Sequence, residues 1–210
     1  MRGPALAALS ASLLAACAGA RVPTVGEPAP ALKDEAAEKA YQETLERYTS
    51  RREIYRQLDT RAFAAATYQA PAFVEARVRR QGAFQAQPEA LVEANLEKER
   101  AALEPFHEFF LAVHLNNTRF DDFDKKGSIW RLALVTPAGE LVPAKIERVG
   151  RANVNLRATY PYFDDFWVGY RVAFPRSLES GQPSVPEGTT RLVLRMASTL
   201  GQADLEFPAR

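Results

Sequence analysis

Two short acidic runs hold most of the side chains in this sequence that could do chemistry. Phe120-Asp121-Asp122-Phe123 is echoed by Phe163-Asp164-Asp165-Phe166, each copy lying just ahead of an aromatic-rich strand pattern. Asp124 extends the first copy, and Asn116 and Asn117 stand upstream of it. If the two loops met at one end of a β-fold, they would offer the roughly six to eight oxygens that calcium takes. The same carboxylates could act as the acid and base of a sugar-active hydrolase, or as a calcium-dependent sugar site, with aromatic rings alongside. They could also form an acidic rim for a protein partner. The plainest reading is turn chemistry, because an aspartate side chain bonds readily to its own backbone. The stretch Asp122-x-Asp124-x-Lys126-Gly127 is not an EF-hand, since Lys126 fills a ligand position.

The densest aromatic stretch surrounds the second copy, from Thr159 to Trp167. Pro161 keeps it out of a central strand, so it is a loop or an edge. Exposed, Tyr160, Tyr162 and Trp167 would be contact anchors for a partner; buried, they would close one end of the core. The two histidines, His107 and His114, are seven residues apart. On one strand that spacing sends them to opposite faces, which excludes a compact metal pair. There is no Gly-x-Ser-x-Gly elbow, no glycine-rich phosphate loop and no His-Glu-x-x-His helix. No catalytic residue is assigned, and the expectation is a non-enzymatic protein without a cofactor or an assigned metal.

Cys17 is the single cysteine, so it has no disulfide mate within the chain. It follows Leu14-Ala15-Ala16 at the end of an apolar run, and Arg2 supplies a positive start. That run is about ten residues long, against the ~20 that a spanning helix needs. A positive start, a brief apolar region and small residues before a cut make a secretory signal layout. Leu14-Ala15-Ala16-Cys17 resembles the lipobox of bacterial lipoproteins. The resemblance covers the first 17 residues. It implies cleavage after residue 16, a thioether-linked diacylglycerol and an N-acyl chain on Cys17, and attachment to a bilayer. Several acyl chains are what stable anchoring takes, because one alone binds marginally. Ala18 follows, rather than the aspartate of many inner-membrane lipoproteins, which favours an outer membrane where the host has one. The address is therefore the cell envelope, and the expected partner is another envelope protein.

Charge agrees with this. Removing Arg2 with the leader leaves 26 basic residues against 26 acidic ones, so nucleic acid is not an expected partner. Residues 17–31 are rich in Pro, Ala and Gly and read as the acylated N-terminus and a spacer. Residues 32–105 read as mainly helical. One helix is expected over 32–58, a short strand over 61–69, then helices over 72–80, stopped by Gly82, and over 89–103, opened by Pro88. The face of the last is set by Leu91, Asn95, Leu96 and Ala102.

From residue 106 the hydrophobic period becomes two. Alternating runs are expected at 106–115, 129–136, 141–149, 154–160, 166–174 and 191–197, with a last short strand near Leu205 and Phe207. The predicted fold class is α+β: an antiparallel sandwich over 106–210, immunoglobulin-like in outline, with the N-terminal helices packed on it. The Cys-Trp-Cys spacing of true immunoglobulin domains is missing.

Overall fold

The computed structural model describes residues 28–56 and 59–209. The expected leader, Cys17 and the first part of the expected spacer lie outside those residues. The fold is α+β, with two antiparallel sheets and four α-helices. Helix α1 (Glu35–Arg47) starts where Asp34 accepts the N–H groups of Ala36 and Ala37, at 3.0 and 3.1 Å. Capping satisfies two donors that the helix start would leave orphaned, and Glu35 and Glu38 suit its positive end.

The helix expected over 32–58 stops at Arg47, and its final residue, Leu58, lies outside the described residues. Strand β1 (Thr49–Arg56) follows, antiparallel to β2 (Asp59–Tyr68). Ser50 and Ile54 turn into the core, a period of two hidden beneath helix-forming Glu and Arg. β1 is an edge strand, where exposed charges are tolerated and discourage further pairing. Arg51 does pair with Glu46, at 2.8 Å through both terminal nitrogens, but from strand to helix rather than along one helix.

Helices α2 (Pro71–Phe84) and α3 (Glu89–Leu103) form a hairpin with its own small core of Val74, Val78, Val92, Leu96 and Leu103. Gly82 does not stop α2. It lies inside the helix, where a Cβ would come 2.6 Å from Val92 Cγ2, so its role is close approach of the two helices. The buried face of α3 is Val92, Leu96 and Leu103, rotated from the one expected, and Leu91 is exposed.

The remaining elements are β3 (Phe106–Leu115), β4 (Arg131–Thr136), β5 (Gly139–Leu141), β6 (Lys145–Gly150), α4 (Val154–Thr159), β7 (Val168–Pro175), β8 (Arg191–Ser198) and β9 (Gly201–Pro208). One sheet has the order β1-β2-β3-β7-β6, the other β5-β4-β8-β9. Inward residues such as Phe109, Leu111, Tyr170 and Val172 meet Leu134, Leu194, Leu205 and Phe207 in one buried cluster. The rings of Phe109 and Phe207 lie 5.1 Å apart across it. Along one side the sheets nearly join: the Glu206 N–H donates to Ser50 Oγ at 3.0 Å.

Three expectations change. The sandwich is not confined to the C-terminal half, because β1 and β2 belong to the larger sheet and β2 pairs with β3 across the expected boundary. The run at 141–149 divides around Pro143, whose missing N–H ends the pairing: β5 stays in one sheet and β6 joins the other. Residues 154–159 are helical. Asn153 caps α4 by accepting the Asn155 and Leu156 N–H groups at 3.0 and 2.9 Å, which overrides a short alternation.

The outer face of the larger sheet is covered in turn. Phe110 stacks on Tyr160 at 4.0 Å between ring centres, and Phe163 meets Phe110 edge-on at 5.2 Å. Gly169 leaves room for both rings, since a Cβ there would lie 2.9 Å from Phe110 and 3.0 Å from Phe163. The outer face of the smaller sheet is a charge ladder in which Arg195 bonds Asp204 and Glu140, and Glu140 bonds Arg131. No described helix is long and apolar enough to cross a membrane.

Candidate functional site

The two acidic copies are occupied by separate structural work. Asp121 accepts the Tyr170 hydroxyl and pairs with Arg148 of β6 at 2.6 Å. Arg148 also donates to the Tyr170 hydroxyl at 2.6 Å and lies 3.9 Å from Asp124. Burial, followed by the Asp121 carboxylate, raises the Tyr170 pKa, so the phenol stays a donor. Asp122 accepts the Ser128 hydroxyl at 2.9 Å, and Ser128 Oγ accepts the Trp130 N–H at 3.0 Å.

In the second copy Asp164 is buried and accepts the Phe166 N–H at 2.9 Å, an Asx-type turn. Asp165 is exposed and offers its backbone carbonyl to Arg151 at 2.7 Å. The first copy is held by tertiary bonds to Arg148 and Tyr170 together with the Asp122–Ser128 bond, and the second by the Asp164 turn. Among the described residues, no group of three or more His, Asp or Glu is placed to hold a metal ion.

The aromatic stretch faces inward. Tyr160 and Trp167 are buried, so neither presents an exposed contact ring. Tyr162 is half-buried, its hydroxyl 2.7 Å from Thr67 Oγ1 and its ring 5.3 Å from the Arg51 guanidinium. The exposed ring of this stretch is Phe166. The physical reason is that Tyr160 and Phe163 pack on Phe110 of the sheet, with Phe163 also closing over Gly169.

The histidines do lie on opposite faces of β3. His114 Nδ1 is 3.0 Å from the Phe166 carbonyl. His107 is buried in the core with Nδ1 3.0 Å from the Tyr68 hydroxyl. Burial, then the Arg176 charge, pushes its pKa down to about 4, so it is neutral at pH 7.

Among the described residues, two clefts of about 500 Å³ or more stand out, and neither was visible as a motif. The first, of about 500 Å³, surrounds Arg80 where α1, α2 and α4 meet. Arg80 is buried and donates to Glu38 at 2.8 and 3.0 Å, to the Pro30 carbonyl at 3.0 Å and to the Ala158 carbonyl. Its plane also lies over Tyr41, 4.2 Å from the ring centre. Burial raises the Glu38 pKa, but the hydrogen bonds from Arg80, the Leu32 N–H and Gln42, together with the Arg80 charge, outweigh it and hold the carboxyl below its usual value. Four of the five guanidinium N–H groups are used, so the cleft is a structural corner that fixes the chain just ahead of α1.

The second cleft, of about 540 Å³, lies between the start of α2 and the end of α3. Val74 and Leu103 give it an apolar floor, Gln69 and Arg176 line its inner wall, and Arg100, Ala101 and Glu104 form the rim. Arg176 Nε donates to the carbonyls of Phe106 and Leu103, at 2.9 and 3.3 Å. Gln69 Nε2 donates to the Tyr160 hydroxyl at 3.1 Å and to the Thr67 carbonyl at 3.3 Å. An apolar cleft with a few convergent polar groups is the usual form of a small-ligand site. Its polar members come from β2, α3 and the end of β7, separated in sequence, which is why spacing did not reveal them. Compared with known protein families, curated proteins and solved structures, the chain matches none.

Proposed function

We infer that the chain is a lipid-anchored cell-envelope protein whose body is a binding or assembly module for another envelope component. Cys17 carries the diacylglycerol and N-acyl chain, and Ala18 directs the protein to the outer membrane where the host has one. The observation that carries this reading is the run Leu14-Ala15-Ala16-Cys17 at the end of a short apolar segment. The clamp on Pro30 fits the same arrangement. Only 12 residues lie between Cys17 and Pro30, the point that Arg80 holds. Such a leash spans at most about 45 Å, so the body would stay close to the bilayer.

The test is C17S expressed in a host that processes lipoproteins. The substitution should block acylation, seen as loss of the lipid mass on the mature N-terminus, and should move the protein from the membrane to the soluble fraction. Retention of unacylated C17S in the membrane fraction would refute the anchor. Photo-crosslinking from a surface position such as Phe166 then reads the module directly, by recovery of one specific envelope protein.

A further inference from the structure

The cleft between α2 and α3 presents chemistry that its own walls do not use. Arg176 has no carboxylate within 4.0 Å among the described residues, although it is half-buried. The Tyr68 hydroxyl and the neutral His107 lie beside its charge, and Glu104 and Arg100 line the same cleft, with the Glu104 carboxylate beyond 4.0 Å. The terminal nitrogens of Arg176 are not among the buried atoms left without a partner, so they are open to the cleft, where an anion would pair with them. The start of α2 adds to the attraction. Ala70 gives no side-chain cap, Pro71 has no N–H to offer, and no acidic residue occupies the first turn.

Gln69 makes the second, independent point. It is 4 % exposed and lines the cleft, and its Nε2 is committed to Thr67 and Tyr160. The Thr67 carbonyl fixes the amide orientation, because a flipped Gln69 would set two acceptors against each other. Its Oε1 accepts no hydrogen bond within the described chain. This oxygen opens to the cleft, because it is not among the fully buried atoms left without a partner, and there it can accept a donor N–H. Beside it, Val74 and Leu103 call for an apolar group.

A carboxylate, a neighbouring N–H and an apolar side chain occur together at the last residue of a peptide. We propose that this cleft binds the free C-terminus of a peptide ending in an apolar residue, with the carboxylate at Arg176 and the terminal N–H at Gln69. The proposal rests on the binding-module reading and gives its partner a chemical class.

Three probes separate the contributions: N-acetyl-leucine, N-acetyl-leucinamide without the carboxylate, and 4-methylpentanoate without the N–H. Each is titrated into the full chain in detergent and followed by heteronuclear NMR. N-acetyl-leucine should bind saturably, with shifts centred on Gln69, Val74 and Leu103. The amide should bind about tenfold more weakly or worse, as expected for loss of a charge-assisted hydrogen bond, and 4-methylpentanoate several-fold more weakly. A101W, at an exposed rim position, should abolish binding while leaving the unfolding midpoint unchanged. Equal binding of the amide, equal binding of 4-methylpentanoate, shifts elsewhere, or no saturation by roughly 10 mM would each overturn the proposal. Membrane release of C17S and crosslinking to a partner do not depend on this cleft, so its failure and that of the wider reading are distinguishable.

Discussion

Asp121 takes the Tyr170 hydroxyl on one carboxylate oxygen, and this bond makes the first acidic run part of the sandwich. Tyr170 is fully buried, and Arg148 bridges the same carboxylate to β6. D121A would leave a phenol and a guanidinium without their acceptor. It should destabilise by about 2–3 kcal/mol in urea unfolding. D165A, which removes an exposed carboxylate from the second copy, should stay within about 0.5 kcal/mol of the parent. Calcium should leave the midpoints of both variants and of the parent unchanged. A calcium-dependent rise in the parent that D121A abolishes would instead assign a cation to the first run.

Arg80 joins three helices and the incoming chain through one side chain. Its side chain is 4 % exposed and that of Glu38 16 %. R80A leaves Glu38 without its counter-ion, holding only the Leu32 N–H and Gln42, and two carbonyls unpaired, and the expected loss is about 3–5 kcal/mol. R80K should recover only part of this, because an ammonium cannot reproduce the planar fork. The diagnostic readout is local: trypsin should cut R80K after Lys33 markedly faster than the parent at the same global stability. Unchanged cleavage at Lys33 would mean that residues 28–34 are held by something other than this clamp.

Much of the sandwich could be read in advance because its strands obey a strict period of two. Leu192, Leu194 and Met196 in β8 are buried at every second residue, whereas in β3 the alternation of Phe109, Leu111 and Val113 marks the inward face although Phe110 and Ala112 are buried on the other. β1 escaped because an edge strand can carry Arg51, Arg52 and Glu53 as easily as a helix surface does, and only the ladder to β2 decides between them. Residues 154–160 failed the other way: a window of seven residues fits either period, and the Asn153 cap settled it. The candidate cleft was illegible for a different reason. Arg176 and Gln69 draw their significance from partners they lack, and a missing partner has no pattern along a chain. The acidic copies were the reverse case, conspicuous in sequence and consumed by structure.

His107 supplies a pH dependence whose sign follows from burial. Its pKa is about 4 in the folded chain against about 6.5 unfolded, so between these values only the unfolded state takes up the proton. Stability is fully present above pH 6.5 and falls as the pH drops toward 4. Allowing for the part of the ring's surroundings that solvent still screens, the loss is roughly 1–3 kcal/mol. The lowered carboxyls of Glu38 and Asp204 keep their charge through this window and lose it below their usual range. H107Q keeps an acceptor for the Tyr68 hydroxyl and removes the titration. Urea midpoints measured at pH 7 and pH 5 should separate clearly for the parent and nearly coincide for H107Q. An equal separation in both proteins would show that His107 is not the group that acid unfolding must protonate.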